Sequence, residues 1–306
     1  MQQQKRNVTR MISLILAEKI FSLFLMMFMG YAVVHWGLLH AEDSKTLSLI
    51  SLYLISPCVI ISAFQVQYTP DVLHGLLLAL AAAVLLHVGI IVVGNLEKAS
   101  MIYSTAGNLI IPIVTAVLGK EWVIYSSAFL SVQLFLLWSH AKSMLCGEKS
   151  FELKKVLTNI NMIAILAGAA LFLLHIQLPA VIEDSLDMVG SAIGPISMII
   201  LGMMAGMNFK KILGYRRLWL VTALRLVGIP LAAVALLKLS GLAHLVPDGQ
   251  TILLVSLLAT CTPSASTITQ MAQIYGKDAD YASAINVVTT LLCIFTMPLM
   301  VALYQL

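Results

Sequence analysis

The sequence predicts an all-α polytopic membrane protein with ten transmembrane helices in two inverted five-helix repeats. Three observations carry this. Of 306 residues, 60% are hydrophobic and only 10% charged, against about 45–50% and about 25% in soluble domains. Ten apolar stretches approach the length of about 20 residues that a bilayer crossing requires. One long polar connection, Cys146–Thr158 with Lys149, Lys154 and Lys155, divides them into five and five. An odd number of helices per half places two like halves in the membrane with opposite orientation, as in many secondary transporters. A disulfide scaffold, a disordered chain and a nucleic-acid binder do not have this composition. A β-barrel would show short alternating segments rather than unbroken apolar runs.

The elements follow in order. Residues 1–13 form a polar tail, 14–145 the first repeat, 146–156 a cytoplasmic linker and 157–306 the second repeat. The tail MQQQKRNVTR resembles the basic start of a signal peptide. The run from Ile20 to Leu39 is nevertheless long enough to span, and no small-residue cleavage site follows it. It reads as the first span. The ten spans cover 14–38, 45–66, 72–94, 99–117, 122–145, 157–176, 184–207, 216–238, 249–272 and 280–304. Charges and turn formers mark the hinges, among them Glu42-Asp43, Pro70-Asp71, Glu97-Lys98, Lys120-Glu121, Pro247-Asp248-Gly249 and Lys277-Asp278. Trp36, Tyr68, Trp122 and Trp219 lie near span ends, where aromatic belts form.

Loop charge sets the orientation. The face holding the connections after odd-numbered spans carries eleven Lys and Arg, the other face six. Positive residues favour the cytoplasm, so both termini are expected outside, in a multi-pass protein of the cell membrane. The acidic cluster Glu183, Asp184 and Asp187 falls on the outer face.

Proline inside a spanning helix frees a carbonyl and bends the chain. Pro57 and Pro112 occupy spans 2 and 4; Pro195 and Pro263 occupy spans 7 and 9, the second and fourth of their half. Pro230 and Pro298 have no first-half counterpart. Around Pro112 stand Ser104, Thr105, Gly107 and Asn108; around Pro263 stand Thr262, Ser264, Ser266 and Thr267, with Gln270 a turn later. Irregular backbone at membrane depth is tolerated where it is buried in protein or lines a wet cavity. Two broken helices at matching places point to a transport site, and half-helix N-termini favour anions. The candidate ligand residues are therefore Thr105, Asn108, Pro112, Thr262, Pro263, Ser264, Ser266, Gln270 and Arg225.

Arg225 is the one charge deep in a span, and a buried Arg is costly unless paired. Two roles fit it: attraction of a carboxylate, or capture of carbonyls freed by a broken helix or of a neighbouring Glu. No Asp or Glu sits at mid-membrane; Glu18 and Glu97 come nearest. His87 and His140 read as hydrogen-bonded packing groups. Gln133, Asn161 and Asn286 suit either a cavity wall or cross-helix hydrogen bonds. Gly190, Gly194, Gly202 and Gly206 form small-residue packing faces. The four cysteines show no metal or redox spacing, and no Walker A loop, GxGxxG or HExxH occurs. No catalytic constellation lies in the spans, so an enzyme is not expected. A channel would also use broken helices, but the two-half symmetry favours a carrier.

Taken together, the chain resembles the bacterial members of the auxin efflux carrier family of membrane transporters. The resemblance rests on Gly30-Tyr31, Gly37-Leu38, Ser56-Pro57, Gly107-Asn108, Pro112 and Leu118-Gly119-Lys120-Glu121. In the second half it rests on Gly194-Pro195, Leu201-Gly202-Met203, Thr262-Pro263-Ser264-Ala265 and Tyr275-Gly276 before Asp278. It implies spans 4 and 9 broken at Pro112 and Pro263 and crossing at the membrane centre. It also implies a scaffold beside a transporter subdomain that moves as an elevator. Asn108 and Thr262–Ser264 become ligand contacts. Thr105 departs from the Asn that members often carry there. Implied substrates are organic anions: auxins in plants, dicarboxylates such as malate or malonate in bacteria. The architecture is also similar to that of the bile-acid sodium symporters, and Thr262, Ser264, Ser266, Thr267 and Gln270 have the oxygens for sodium. The expectation is a secondary transporter of small carboxylates working by efflux or exchange, with a sodium-coupled organic-anion symporter as the alternative. No cofactor is expected beyond sodium or proton coupling. The expected partners are the substrate, the bilayer and a second copy in a homodimer, with no nucleic acid.

Overall fold

Among the described residues the architecture is built mainly from twelve helical segments, joined in places by short 3-10 turns. They are α1 (Leu25–His35), α2 (Ala41–Ala63), α3 (Pro70–Gly94), α4 (Ala99–Ile102), α5 (Val123–Leu145) and α6 (Ile160–Leu173). They continue with α7 (Ala180–Ser191), α8 (Ile193–Ala205), α9 (Arg217–Leu239), α10 (Gly249–Cys261), α11 (Ser266–Ile274) and α12 (Ala279–Gln305). The computed structural model describes residues 21–22, 25–94, 99–105, 109–110, 113–114, 118–146, 157–158, 160–205 and 216–306. Asn108, Pro112 and residues 147–156 of the linker lie outside them. Four helices, α2, α3, α5 and α9, are each long and apolar enough to cross a bilayer, and α12 makes a fifth when its bent halves count as one. The protein is thus a multi-pass helical membrane protein.

Proline chemistry explains where other spans depart from single helices. Pro263 disfavours helical backbone at the residue before it, and Thr262 is extended (φ −64°, ψ 156°), ending α10. Span 7 is two helices, because the chain pauses at Ala192 (φ −75°, ψ −10°) before α8 begins. Pro195 is the third residue of α8, in a first turn where a missing N–H loses no helix bond. In α12 the ring of Pro298 opposes the carbonyl of Ile294, four residues back, and the helix bends by 56° between Cys293 and Phe295. The corresponding carbonyls before Pro57 and Pro230 belong to Tyr53 and Leu226. Both lie inside wide π-turns, Ser51–Ile55 and Leu224–Gly228, that accommodate the missing donor.

Two packing groups result. In one, α2 packs on α6, α7 and α8. The backbones of α1 and α8 meet there: a Cβ on Gly202 would fall 1.8 Å from the Met27 carbonyl oxygen, and one on Gly30 would fall 2.2 Å from that of Ile199. Only glycine permits such an approach, the usual device of membrane helix pairs. In the other group α3 lies against α5 and α10, α9 against α10 and α12, and α11 against α12. Contacts of α8 with α12 and of α5 with α6 join the groups. α3 is apolar all round: Ala79, Ala82, Ala83 and Leu86 are sealed inside, while Leu77, Leu80, Val84 and Val88 form an exposed stripe suited to lipid.

Candidate functional site

The two interrupted spans meet in the second group. After α4 the chain leaves the helix at Tyr103, Ser104 and Thr105; after α10 it leaves at Thr262 through Ala265. The two stretches run antiparallel and form a β-bridge at Ser104 and Ser264. The Thr105 amide donates to the Pro263 carbonyl (2.8 Å), and the Ala265 amide donates to the Tyr103 carbonyl (3.0 Å). The Thr105 hydroxyl adds a bond to the Ser264 carbonyl. Backbone groups at membrane depth must be satisfied within the protein, and here each break satisfies the other.

Neighbouring helices hold each strand. Gln133 of α5 grips Ser104 twice: its amide NH2 donates to the Ser104 carbonyl (2.7 Å), and its oxygen accepts from the Ser104 hydroxyl (2.7 Å). On the other side, Thr289 of α12 accepts from the Ser264 amide through its hydroxyl (3.1 Å). That hydroxyl donates to the Ile285 carbonyl (2.7 Å). Tyr103 is anchored through its hydroxyl, which donates to the Leu136 carbonyl (3.1 Å) and lies 2.9 Å from His140 Nδ1.

Arg225, on the π-turn of α9, is 1% exposed. One terminal nitrogen donates to the Thr260 (3.0 Å) and Thr262 (2.7 Å) carbonyls, and the other reaches the Met101 carbonyl (3.3 Å). Met101 and Thr260 lie in the last turns of α4 and α10, whose terminal carbonyls lack helix partners and carry partial negative charge. Beyond the bridge, α11 begins at Ser266 and presents the positive end of its dipole.

Several buried polar atoms around this knot have no hydrogen-bond partner among the described residues: Ser264 Oγ, Thr269 Oγ1 of α11, Asn286 Nδ2 of α12, Ser256 Oγ of α10 and Arg225 Nε. Asn286 is one turn from Thr289, and its carbonyl accepts from the hydroxyls of Thr289 (3.0 Å) and Thr290 (2.8 Å). Buried polar groups are normally hydrogen-bonded, so these atoms stand out as unmet hydrogen-bonding groups among the described residues.

The knot brings together Thr105, Thr262, Pro263, Ser264 and Arg225 from the sequence candidates. The Thr262 hydroxyl turns back onto the Ala259 carbonyl (2.8 Å). Ser266 opens α11, and Gln270 lies a turn further along its backbone. On the first-half side the bridge is made by Ser104, while Asn108 and Pro112 lie outside the described residues. Sequence reasoning did not single out Met101, Tyr103, Thr260 or Thr289. Backbone carbonyls carry no residue signature, and a Thr in an apolar helix resembles ordinary packing.

Such an arrangement defines a class: polytopic helical proteins whose scarce polarity gathers at two interrupted spans, the architecture of membrane transporters. A family model described as "Membrane transport protein" matches residues 15–150 and 148–301. The chain belongs to this family, the auxin efflux carrier family of membrane transporters. The two matched stretches meet within the polar linker. No curated protein matches the chain.

Proposed function

We propose that the protein is a secondary carrier of small organic anions that binds one carboxylate at the crossing of the broken spans. The carrying observation is the buried, unpartnered set Ser264 Oγ, Thr269 Oγ1 and Asn286 Nδ2 beside the N-terminus of α11. Hydroxyls and an amide NH2 supply the donors that a carboxylate accepts. Arg225 supplies positive charge nearby, and it is the one Lys, Arg, Asp or Glu side chain buried among the described residues. The two packing groups fit a fixed scaffold (α1, α2, α6–α8) and a moving body (α3–α5, α9–α12). The inverted repeat has support in the holding contacts, since the fifth and tenth spans each bind the strand of the broken span before them. Both termini lie outside in this reading, and malate and malonate are the first substrates to try.

Counterflow into proteoliposomes with a panel of mono- and dicarboxylates, with and without sodium, tests the reading. Accumulation of a labelled carboxylate supports it, and a failure of every organic anion to exchange sinks it. A strict sodium requirement transfers the reading to the sodium-coupled symporter. Ser264→Ala and Asn286→Ala should each weaken affinity by about tenfold, the scale of one hydrogen bond to a charged group. The melting temperature of Ser264→Ala should match wild type, because that hydroxyl has no partner among the described residues to lose, whereas Asn286→Ala also removes the Oδ1 that accepts from the Thr290 hydroxyl (3.4 Å) and should melt somewhat lower. Undiminished affinity in both variants would remove the site from this crossing.

A further inference from the structure

We infer that Arg225 is a positioning residue that ties the two broken spans into one unit, so that both sides of the crossing switch together; this rests on the carrier reading above. The guanidinium is planar with five donors in a fixed fork. Its two terminal nitrogens point to different spans, one to Met101 and the other to Thr260 and Thr262. It therefore joins the carbonyl ends of α4 and α10, which belong to opposite halves of the chain. Both ends carry partial negative charge, and with no cation between them they would repel across a dry interior. Among the described residues Arg225 forms no ion pair, and these carbonyls are the acceptors it meets there. Three of its five N–H donors are spent on these carbonyls, so most of the guanidinium's hydrogen bonding holds the crossing.

The π-turn gives the tie its reach. Leu224–Gly228 is a wide turn set by Pro230, and Arg225 is its second residue. Lysine in the same place has a point charge on a flexible stem and no fork. It would satisfy one carbonyl end and leave the other.

The test compares Arg225→Lys and Arg225→Gln in full-length protein with malonate as the probe, and reads KM and turnover separately. A tie predicts that both variants lose turnover by about tenfold or more, the scale of lost charge-assisted hydrogen bonds, while KM changes by less than about threefold. The second readout is oxidative cross-linking of Ser104→Cys with Ser264→Cys, detected by peptide mass spectrometry. These two positions pair across the bridge without hydrogen bonds between them, where side chains stand closest. Cross-link yield should fall when Arg225 is replaced. If the Gln variant does not fold, oxidation of the double-cysteine protein should restore its yield, because the disulfide replaces the tie. Wild-type turnover and cross-linking in both variants would overturn the inference. So would full rescue by Lys, which would assign the role to charge alone, or a rise in KM with turnover intact, which would make Arg225 a ligand. The cross-linking arm needs no substrate, so it judges the tie even if the wild type carries no carboxylate.

Discussion

At the scale of single residues, the site depends on a few side chains that complete backbone valences. Gln133 is the clearest case. It supplies a donor and an acceptor to Ser104, and a shorter or apolar side chain leaves a buried carbonyl and a buried hydroxyl unmet. Gln133→Leu should therefore cost about 1–3 kcal/mol per orphaned group, read as a lower melting temperature in detergent. Gln133→Glu keeps the acceptor and loses the NH2 donor, so its melting temperature should also fall. Unchanged stability in both would show that Ser104 does not need its partner. Ser264 differs: its hydroxyl has no partner among the described residues, so its loss should touch binding and spare stability. The sequence makes some of these groups legible and hides others. A lone Gln on an apolar span is conspicuous, whereas the Met101 and Thr260 carbonyls that Arg225 takes are invisible until the spans are seen to break beside it.

Among the helices, proline positions explained more than proline counts. Pro263 ends α10 and Pro298 bends α12, each by local sterics that one sequence makes legible. Pro112 lies outside the described residues, and the first-half strand that the structure describes at the bridge is Tyr103–Thr105. Only the partner strand reveals that position, since Tyr103, Ser104 and Thr105 leave the helix where bonds from Pro263, Ala265 and Gln133 are available. Span 7 read as one helix because apolarity continues through Ala192, and no composition signal separates a pause from a continuous span. The glycine contacts give a direct test at this scale. A Cβ at Gly202 would strike the Met27 backbone, which has no flexible side chain to swing aside. Gly202→Ala should push α1 from α8 and lower the folded yield, measured by size-exclusion chromatography in detergent. Gly37 meets nothing within 4 Å, but its positive φ of 71° would strain any side chain placed there, so the matched control is Gly228→Ala, whose Cβ would make only an ordinary contact with Leu224. A normal profile for Gly202→Ala would mean that the two helices are not in register as described.

For the whole molecule, Arg225 has an electrical consequence. In the proposed carrier the crossing travels through the membrane field and takes this guanidinium with it. A full elementary charge crossing 100 mV exchanges about 2.3 kcal/mol with the field, and the fraction of the field traversed scales that figure. Empty, the moving centre is positive, and a bound monoanion brings it to zero. A dianion makes it negative. The potential would then drive the return of the vacant carrier, leave the monoanion-loaded step indifferent and oppose or assist the dianion-loaded step with reversed sign. Pre-steady-state currents on supported membranes should show charge displacement for a dicarboxylate and none for its monocarboxylate analogue. A monocarboxylate displacement about half that of the dicarboxylate would mean that the guanidinium stays outside the field as the carrier turns over. One buried arginine would thus decide the valence of the cargo that the membrane potential can move.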